Sequence, residues 1–459
     1  MDMPEIEDRE SKRINQTPEP DRKVLFISYH FPPVGGGGVQ RSTKFVKYLP
    51  EFGLLPIVLT VKEPYDFYYD DSLRNDIPPF VPIYRSTSIE PMKWIRKVIF
   101  RRWKKTISDA GKSAPPKKKT LKIRFLVKLK QYLLFPDNEI LWFPFGVRKG
   151  LQVIKKEKPA AIFSTASPFT AHLMALYLSK RCRLPWLADF RDPWVDRANF
   201  PRNRWRLFID RKLENLVLKH ATRLTTVSEP LARHLQKLQP SSRVTVITNG
   251  YDEADFQKSI SPEANSPHFT IVYTGILNPE ANAENFFQAI HLLIQQREDF
   301  RRKVRLKFIG QLDNPGDFYN YNLLTRLGLK EFCDISEYQP HKSVIQEMMK
   351  ATVLLLIIGD FPHNEVVMSG KLFEYLRAKR PIFAVVPPHG AAAQVIRETK
   401  SGMVVPNKDS QEIAAGLLRL FDAYLANKLD QQFRWKGIDR YERKYLAGKL
   451  ANLIRSVIE

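Results

Sequence analysis

The first candidate for chemistry is the glycine-rich segment His30-Phe-Pro-Pro-Val-Gly-Gly-Gly-Gly-Val-Gln-Arg41. Four successive glycines allow backbone N–H groups to crowd around an anion, and the dipole of a following helix adds to the attraction. Arg41 supplies a charged, two-pronged donor. The segment follows Val24–Ser28, a short apolar run that is typical of a buried parallel strand. This strand–loop–helix context favours an anion site over the alternative, a plain surface loop.

A second candidate anion site is Met368-Ser-Gly-Lys-Leu-Phe-Glu-Tyr375, which also follows a strand-like run. Ser369 can cap a helix, and Gly370 permits a close approach of the backbone to a ligand. Lys371 falls in the first helical turn, within reach of a phosphate. Glu374 lies one turn further along the same face, spaced to grip a ribose diol. The alternative is an ordinary capped helix with an i, i+3 ion pair.

A third candidate is Asp189-Phe-Arg-Asp-Pro-Trp194, at the end of the strand-like run Pro185–Asp189. Two carboxylates and the guanidinium of Arg191 at a strand end are costly to arrange for packing alone. Ligands in parallel sheets bind beyond the carboxyl ends of the strands, which favours a site role. The alternative is a turn at Asp192-Pro193 with Trp194 in the core.

Strand-like runs alternate with helical segments along the whole chain, and this alternation predicts an α/β architecture. The predicted strands are Val24–Ser28, Pro56–Thr60, Ala160–Ser164, Pro185–Asp189, Arg223–Val227, Val244–Ile247, Thr270–Tyr273, Val304–Ile309, Val353–Ile358 and Ile382–Val386. A polar segment, Asp252–Pro267, divides the alternation into two series and indicates a linker. We therefore predict two Rossmann-like, doubly wound domains at 23–255 and 268–437, followed by a C-terminal helix at 438–459. If the carboxyl ends of the two sheets face each other, the cleft between them is the site.

The distribution of charge is uneven. The chain has 73 Lys and Arg against 49 Asp and Glu, a net charge of +24. Residues 93–130 contain 15 of the basic residues and one acid, with bulky apolar residues interleaved. This composition favours an insert in the first domain that binds an anionic membrane surface. Binding of RNA is the alternative, but no nucleic-acid-binding motif accompanies the basic residues.

Composition also limits the class of protein. The 459 residues, 43% of them hydrophobic, suffice for two cores. The two cysteines, Cys182 and Cys333, lie far apart in the sequence and predict neither a disulfide framework nor a cysteine metal site. Residues 1–22 are polar, which indicates a disordered lead-in without a signal peptide. No run reaches the roughly 18 apolar residues of a spanning helix. We expect a cytoplasmic protein, peripheral on the inner face of the membrane.

Together these motifs resemble glycosyltransferase family four, which has the GT-B fold, over roughly Lys23 to Glu459. The combination is specific, although no single motif is. Asp189–Trp194 resembles a bacterial branch that acts in surface-polysaccharide synthesis. The matching segments are the Pro-Pro-Val-Gly-Gly loop, Thr226-Val-Ser228, Val246-Ile-Thr-Asn-Gly-Tyr-Asp252, Tyr273-Thr-Gly275 and the helix with Lys371 and Glu374.

The resemblance implies retaining transfer of a sugar from a nucleotide diphosphate donor to a glycan or lipid-linked acceptor, with no cofactor and no essential metal. The donor-binding residues, by motif or by resemblance, are Gly36, Gly37, Arg41, Gly275, Ser369, Gly370, Lys371 and Glu374. The candidate catalytic residues are His30, Asp189, Arg191 and Asp192, and Arg191 stands where the family has its active-site histidine. The last helix is expected to cross back onto the first domain.

Several positions depart from the family pattern. Ile276 and Asn282-Ala283 occupy the places of an Arg and of a Lys–Gly pair that grip the pyrophosphate. Val366 occupies the place of the first acid of the Glu-x7-Glu motif, next to Glu365. We hypothesise that Arg41, Arg191 and Lys371 supply the missing positive charge. A GT-B sugar-nucleotide epimerase or hydrolase, and a non-catalytic binding protein with this fold, remain alternatives.

Overall fold

The computed structural model describes residues 22–62, 69–89, 134–196, 203–256, 267–277, 281, 283–313 and 318–459. The predicted lead-in, except Arg22, lies outside these residues, as do the basic insert 93–130 and Asn282. All strand pairings in the described part of the chain are parallel apart from isolated bridges, and the strands form two separate sheets.

The first sheet has seven strands in the order β3-β2-β1-β4-β5-β6-β7. The order reverses between β1 and β4, and such a switch point opens a crevice at the carboxyl ends of the strands. Residues 24–27 of β1 are fully buried, as expected for a central parallel strand. The strands are β1 (Arg22–Ile27), β2 (Leu54–Val61), β3 (Ile83–Ser86), β4 (Ala161–Ala166), β5 (Trp186–Phe190), β6 (Arg223–Thr226) and β7 (Val244–Val246).

Five α-helices in the described part of the first domain accompany this sheet. The first of them begins within the glycine-rich segment, directly after β1, so its N-terminus points into the crevice between β1 and β4. The helices are α1 (Gly37–Tyr48), α2 (Phe143–Glu157), α3 (Thr170–Cys182), α4 (Arg204–His220) and α5 (Glu229–Leu238).

The second sheet has six strands in the order β10-β9-β8-β11-β12-β13, with its own switch point between β8 and β11. The strands are β8 (Phe269–Ile276), β9 (Val304–Gln311), β10 (Cys333–Ser336), β11 (Val353–Ile357), β12 (Ile382–Val385) and β13 (Gly402–Val405). The helices are α6 (Glu284–Gln296), α7 (Glu298–Lys303), α8 (Tyr319–Arg326), α9 (His341–Lys350), α10 (Gly370–Ala378), α11 (Ala391–Thr399) and α12 (Ser410–Leu425).

The last helix, α13 (Arg443–Ile458), packs on the first domain. Its buried residues Leu446, Leu450 and Ile454 belong to the same apolar cluster as Phe26 of β1. An ion pair of 2.7 Å between Lys444 Nζ and a carboxylate oxygen of Glu51 adds to this contact. The end of the described chain therefore returns to the domain in which it began.

The carboxyl ends of the two sheets face each other. The Ser228 hydroxyl, after β6, donates to the carbonyl of Val366 at 3.0 Å. The Asn249 amide, after β7, donates to the carbonyl of Met368 at 3.3 Å. Since Val366 and Met368 both follow β11, the loops beyond both sheets meet, and the predicted fold class is confirmed. No helix among the described residues is long and apolar enough to span a membrane.

Candidate active site

The second domain brings two predicted donor-binding residues, Gly275 and Lys371, into contact. Gly275 ends β8 with a backbone φ of +100°, a conformation that favours glycine. A Cβ atom at this position would lie 3.2 Å from Nζ of Lys371. The same ammonium lies 3.8 Å from the ring centroid of Tyr273. The end of β8 thus forms one wall of a small site and Lys371 forms the other.

Lys371 is a half-buried cation that makes no ion pair with a carboxylate among the described residues. Burial lowers the pKa of its ammonium to about 7, although Glu374 opposes the shift. Within the described part of the chain, the ammonium makes no ion pair or hydrogen bond with a side chain. A desolvated charge of this kind is costly unless an opposite charge completes it. The position of Lys371 therefore favours an anionic ligand.

The N-terminus of α10 lies beside this ammonium. Ser369 occupies the N-cap position, but its hydroxyl makes no capping hydrogen bond, which corrects the expectation that it caps the helix. A Cβ atom at Gly370 would meet open space. The positive end of the α10 dipole and the adjacent Lys371 ammonium form an arrangement suited to a phosphate.

Gly310 was not predicted as a site residue, yet it shapes the same wall. It pairs with Gly275 in the register of β8 and β9 and has a φ of +130°. A Cβ atom at Gly310 would lie 2.5 Å from the carbonyl oxygen of Gly275. Only glycine fits here, so the ends of β8 and β9 can lie side by side.

Glu374 faces a histidine that the motif analysis did not identify. Nε2 of His341, the first residue of α9, lies 2.8 Å from Oε1 of Glu374. Burial raises the pKa of Glu374, but the charge and hydrogen bond of His341 outweigh it and hold the pKa below the ordinary range. The sequence gives little indication of His341, because it is a single histidine that follows a proline. Its partner Glu374 lies 33 residues away, outside any shared motif.

The glycine-rich segment lies at the boundary between the domains. Gly36 has a φ of +102° and is the N-cap of α1, whose first residue is Gly37. A Cβ atom at Gly35 would lie 2.5 Å from the hydroxyl oxygen of Tyr338, which belongs to the second domain. The predicted anion loop therefore borders the cleft from the first domain.

Arg191 ties this loop to the first sheet. Its guanidinium donates to the carbonyl oxygens of Ala166 at 2.8 Å and Ser167 at 2.6 Å, and also to that of Gly38. Three of its five N–H groups are used in this way. Burial lowers the pKa of Arg191, against the opposing charges of the two neighbouring acids. The guanidinium lies at the edge of the cleft and fixes the glycine segment to the end of β4.

Arg41 and Asp189 form a buried ion pair below the cleft. The Arg41 guanidinium reaches both carboxylate oxygens, at 2.9 and 2.7 Å, and Thr165 and Thr225 donate to them at 2.7 Å each. Burial opposes ionisation, but Arg41 holds the pKa of Asp189 below its usual value. A further bond of 2.7 Å joins Arg41 to the Thr248 carbonyl. This geometry favours a structural role for the pair over the predicted donor-binding and catalytic roles.

The two remaining predicted catalytic residues lie in the loops after β1 and after β5. His30 follows β1, is half-buried, and packs edge-on against Tyr29 with 5.1 Å between ring centroids. Asp192 is exposed, directly after Arg191. Among the described residues, no contact joins His30 or Asp192 to Lys371 or Gly275.

An acidic cluster of the first domain, on the side that faces the second domain, surrounds a lysine. Asp76, Asp252 and Asp255 bring carboxylate oxygens close together, as a metal site would. The Lys44 ammonium, from α1, lies 2.8, 2.6 and 2.9 Å from these three carboxylates. Burial lowers the pKa of Lys44, but the three acids outweigh it and raise the pKa above its usual value. The lysine thus supplies the positive charge in this cluster.

Two family models match the chain, in consecutive stretches. Glycosyltransferase Family 4 matches residues 107–255, and Glycosyl transferases group 1 matches residues 268–423. The boundary between the matches falls between the two sheets. Two facing Rossmann-like domains with parallel sheets make up the GT-B fold, and the chain is a glycosyltransferase with that fold.

Solved structures share the fold over nearly the full chain. Sucrose-phosphate synthase from Thermosynechococcus elongatus matches with a TM-score of 0.62 and 13% identity, covering 95% of this chain and 98% of that one. HepE of Anabaena, solved with UDP and glucose, matches with a TM-score of 0.62 and 14% identity, covering 95% and 100%. WaaG, a glycosyltransferase involved in lipopolysaccharide biosynthesis, matches with a TM-score of 0.57 and 14% identity, covering 94% and 99%. A search of curated protein sequences gave no match.

Proposed function

We propose that this glycosyltransferase binds a nucleoside diphosphate sugar between its domains and transfers the sugar, with retention, to a glycan or lipid-linked acceptor. The observation that carries the proposal is the half-buried Lys371 ammonium, which lies in the first turn of α10 and makes no ion pair with a carboxylate in the described residues. A diphosphate would supply the missing negative charge. The structures of HepE with UDP and with UDP-glucose support this class of donor.

In this proposal, the residues around Lys371 bind different parts of the donor. The wall made by Gly275 and Gly310 lets the diphosphate approach the backbone, and the N-terminus of α10 donates N–H groups to it. Glu374, one turn further, accepts hydrogen bonds from the ribose hydroxyls. As the glycosidic bond breaks, charge develops on the leaving diphosphate, and Lys371 and the helix dipole stabilise it.

The first domain would supply the acceptor side. The glycine-rich segment, held by Arg191, borders the cleft opposite α10. Closure of the two domains would exclude water and align donor with acceptor. An oxygen of the leaving diphosphate would then take the proton of the acceptor hydroxyl, so that neither a protein nucleophile nor a metal ion is required.

Surface-polysaccharide synthesis at the inner face of the membrane is the biological setting that we propose. The Asp-Phe-Arg-Asp-Pro-Trp segment and the basic composition of residues 93–130 support it. The match to WaaG is consistent with such a setting.

A binding screen followed by product analysis tests the proposal. UDP, GDP and ADP, and then their sugars, are added to the full chain while the melting temperature is followed. A ligand at 100 times its Kd adds about 2.7 kcal/mol to the free energy of unfolding. We expect one nucleotide series to stabilise the protein and sugar transfer to continue in EDTA. No shift with any of them would contradict the proposal, and conversion of donor without acceptor would favour an epimerase or hydrolase.

A further inference from the structure

We propose that His341 is a positioning residue for the donor, holding Glu374 for the ribose and linking it to the charges between the two domains. This inference rests on the proposed function, in which Glu374 binds the ribose.

The hydrogen bond between His341 and Glu374 uses one carboxylate oxygen and leaves the other, Oε2, available to a ligand. Nε2 of His341 contacts Oε1 at 2.8 Å, and in the described residues no hydrogen bond reaches Oε2. The two side chains are 16% and 19% exposed, so the pair is shielded yet reachable from the cleft. One oxygen is held and the other is available to a diol.

A held carboxylate binds its ligand at a lower entropic cost. A free glutamate side chain would have to give up rotamer freedom when the ribose binds. His341 fixes that rotamer in advance, as a supporting residue does for the group that touches the ligand. The expected loss on removing His341 is therefore confined to the ribose part of the donor.

His341 also connects Glu374 with the first domain. Its Nδ1 lies 3.8 Å from Oδ2 of Asp255, and the same oxygen is 2.9 Å from the Lys44 ammonium. Lys44 lies on α1, which begins with the glycine-rich segment. A chain of charged contacts thus runs from α1 through Asp255 and His341 to the donor side of the cleft.

A second contact ties His341 across the cleft. Its backbone N–H donates to Oδ2 of Asp70 at 3.4 Å, and the Tyr338 hydroxyl donates to the same oxygen at 3.5 Å. Asp70 belongs to the first domain, so the position of His341 depends on how the domains sit against each other. Ribose binding and the arrangement of the domains are coupled through this residue.

The charges around the imidazole favour its protonated form. Burial lowers the pKa of His341, but Glu374 on α10 and Asp255 outweigh it and raise the pKa above the ordinary value. Lys44 acts in the opposite direction. The imidazolium therefore lies between the carboxylates of Glu374 and Asp255 and stabilises the charge of each.

Calorimetry with three ligands tests the role of His341 on the full chain. The ligands are UDP, its 2′,3′-dideoxy analogue and inorganic pyrophosphate, with the GDP series in parallel. We expect His341→Ala to weaken UDP binding about tenfold and to leave the Kd for pyrophosphate unchanged. The preference of the wild type for UDP over the dideoxy analogue should be lost. His341→Gln should restore part of it, because its amide N–H still donates to Glu374.

The matched control is His291→Gln, which removes an imidazole of α6 that contacts the Leu327 carbonyl at 2.9 Å. It should leave all three Kd values unchanged. Equal weakening of all three ligands by His341→Ala, or unchanged UDP binding, would overturn the positioning role alone. If the wild type bound neither UDP nor GDP, the proposed function would fail, and this inference with it.

Discussion

Lys371 illustrates how burial alters what a residue can do. Its ammonium lies against Gly275 and over the ring of Tyr273, and burial brings its pKa down to about 7. A lysine with a lowered pKa is charged below that value and neutral above it. Because a bound diphosphate stabilises the charged form, the free and bound proteins differ in pKa, and binding takes up a proton.

Donor affinity should consequently fall as the pH rises above about 7. UDP-glucose is the suitable probe, since its diphosphate does not titrate in this range. Between the free and the bound pKa of Lys371, the affinity should drop up to tenfold for each pH unit. Calorimetry between pH 6 and 9 measures this directly. Lys371→Arg, which stays charged, should remove most of the dependence, and an unchanged slope in that variant would refute the assignment to Lys371.

Arg191 provides a second prediction at this scale. Arg191→Ala removes three hydrogen bonds to carbonyl groups, including that to Gly38, and should lower the free energy of unfolding by about 2 kcal/mol. Lysine should restore little, because one ammonium cannot span three carbonyls. Denaturant titration of both variants checks this. The exposed Arg148 on α2 provides the control, since Arg148→Ala should change stability by less than about 0.5 kcal/mol. If Arg191 also acts in catalysis, turnover will fall in Arg191→Ala protein that is still folded.

Single residues show what the sequence could and could not predict. Gly275 and Lys371 were predicted as site residues because each belongs to a local motif, and the structure brings them together. The pairing of Arg41 with Asp189 spans 148 residues and depends on strand order, so it could not be inferred from either motif. His341 was not predicted for the same reason, because its contact with Glu374 joins residues that lie far apart in the sequence.

At the scale of elements, the buried central strands were predicted and most short edge strands were not. Each missed strand has four residues and lies at the edge of a sheet: β3 in the first sheet, and β10 and β13 in the second. Edge strands are half exposed and lack the continuous apolar run that marks a buried parallel strand. The switch points, where the candidate site lies, involve only central strands, and the location of the site was therefore predictable.

The junction of β8 and β9 supplies a prediction for an element. Gly310→Ala should lower both stability and donor affinity, because its Cβ would press on the carbonyl of Gly275 and displace the wall of the site. The loss of stability should exceed 1 kcal/mol. Gly328 has a φ of +66° and open space around it, so Gly328→Ala adds backbone strain without a clash. Thermal melts and UDP calorimetry compare the two variants. Equal losses of affinity would show that the Gly275–Gly310 contact has no special role.

For the whole molecule, more than half of the net charge of +24 lies in residues 93–130. We predict that this segment binds vesicles containing anionic lipid and that salt weakens the binding, because mobile ions screen the attraction. Cosedimentation at about 0.05 and 0.5 M salt measures the effect. Deleting the segment should abolish binding and leave UDP affinity intact. Equal binding to neutral vesicles at high salt would contradict the electrostatic explanation.

Contacts of the last helix and of three charged residues hold the two domains together. The α13 helix returns to the first domain, and Lys44, Asp255 and His341 join the domains near the donor side. The alternation of strands and helices was enough to predict two doubly wound domains, and the family resemblance implied that their sheets face each other. The contacts across the cleft could not be predicted, because they depend on the relative placement of two separately folded units.

Whether Lys371 binds the diphosphate is tested most directly by calorimetry of UDP binding to the wild type and to Lys371→Met, with a thermal melt of each ligand-free protein. We predict that the wild type binds UDP and that the variant binds it at least tenfold more weakly. We also expect the ligand-free variant to be at least as stable as the wild type, because a half-buried ammonium without a carboxylate contact has been replaced by an apolar side chain of similar size. Unchanged UDP affinity in a folded Lys371→Met protein would contradict the assignment of the diphosphate to this lysine.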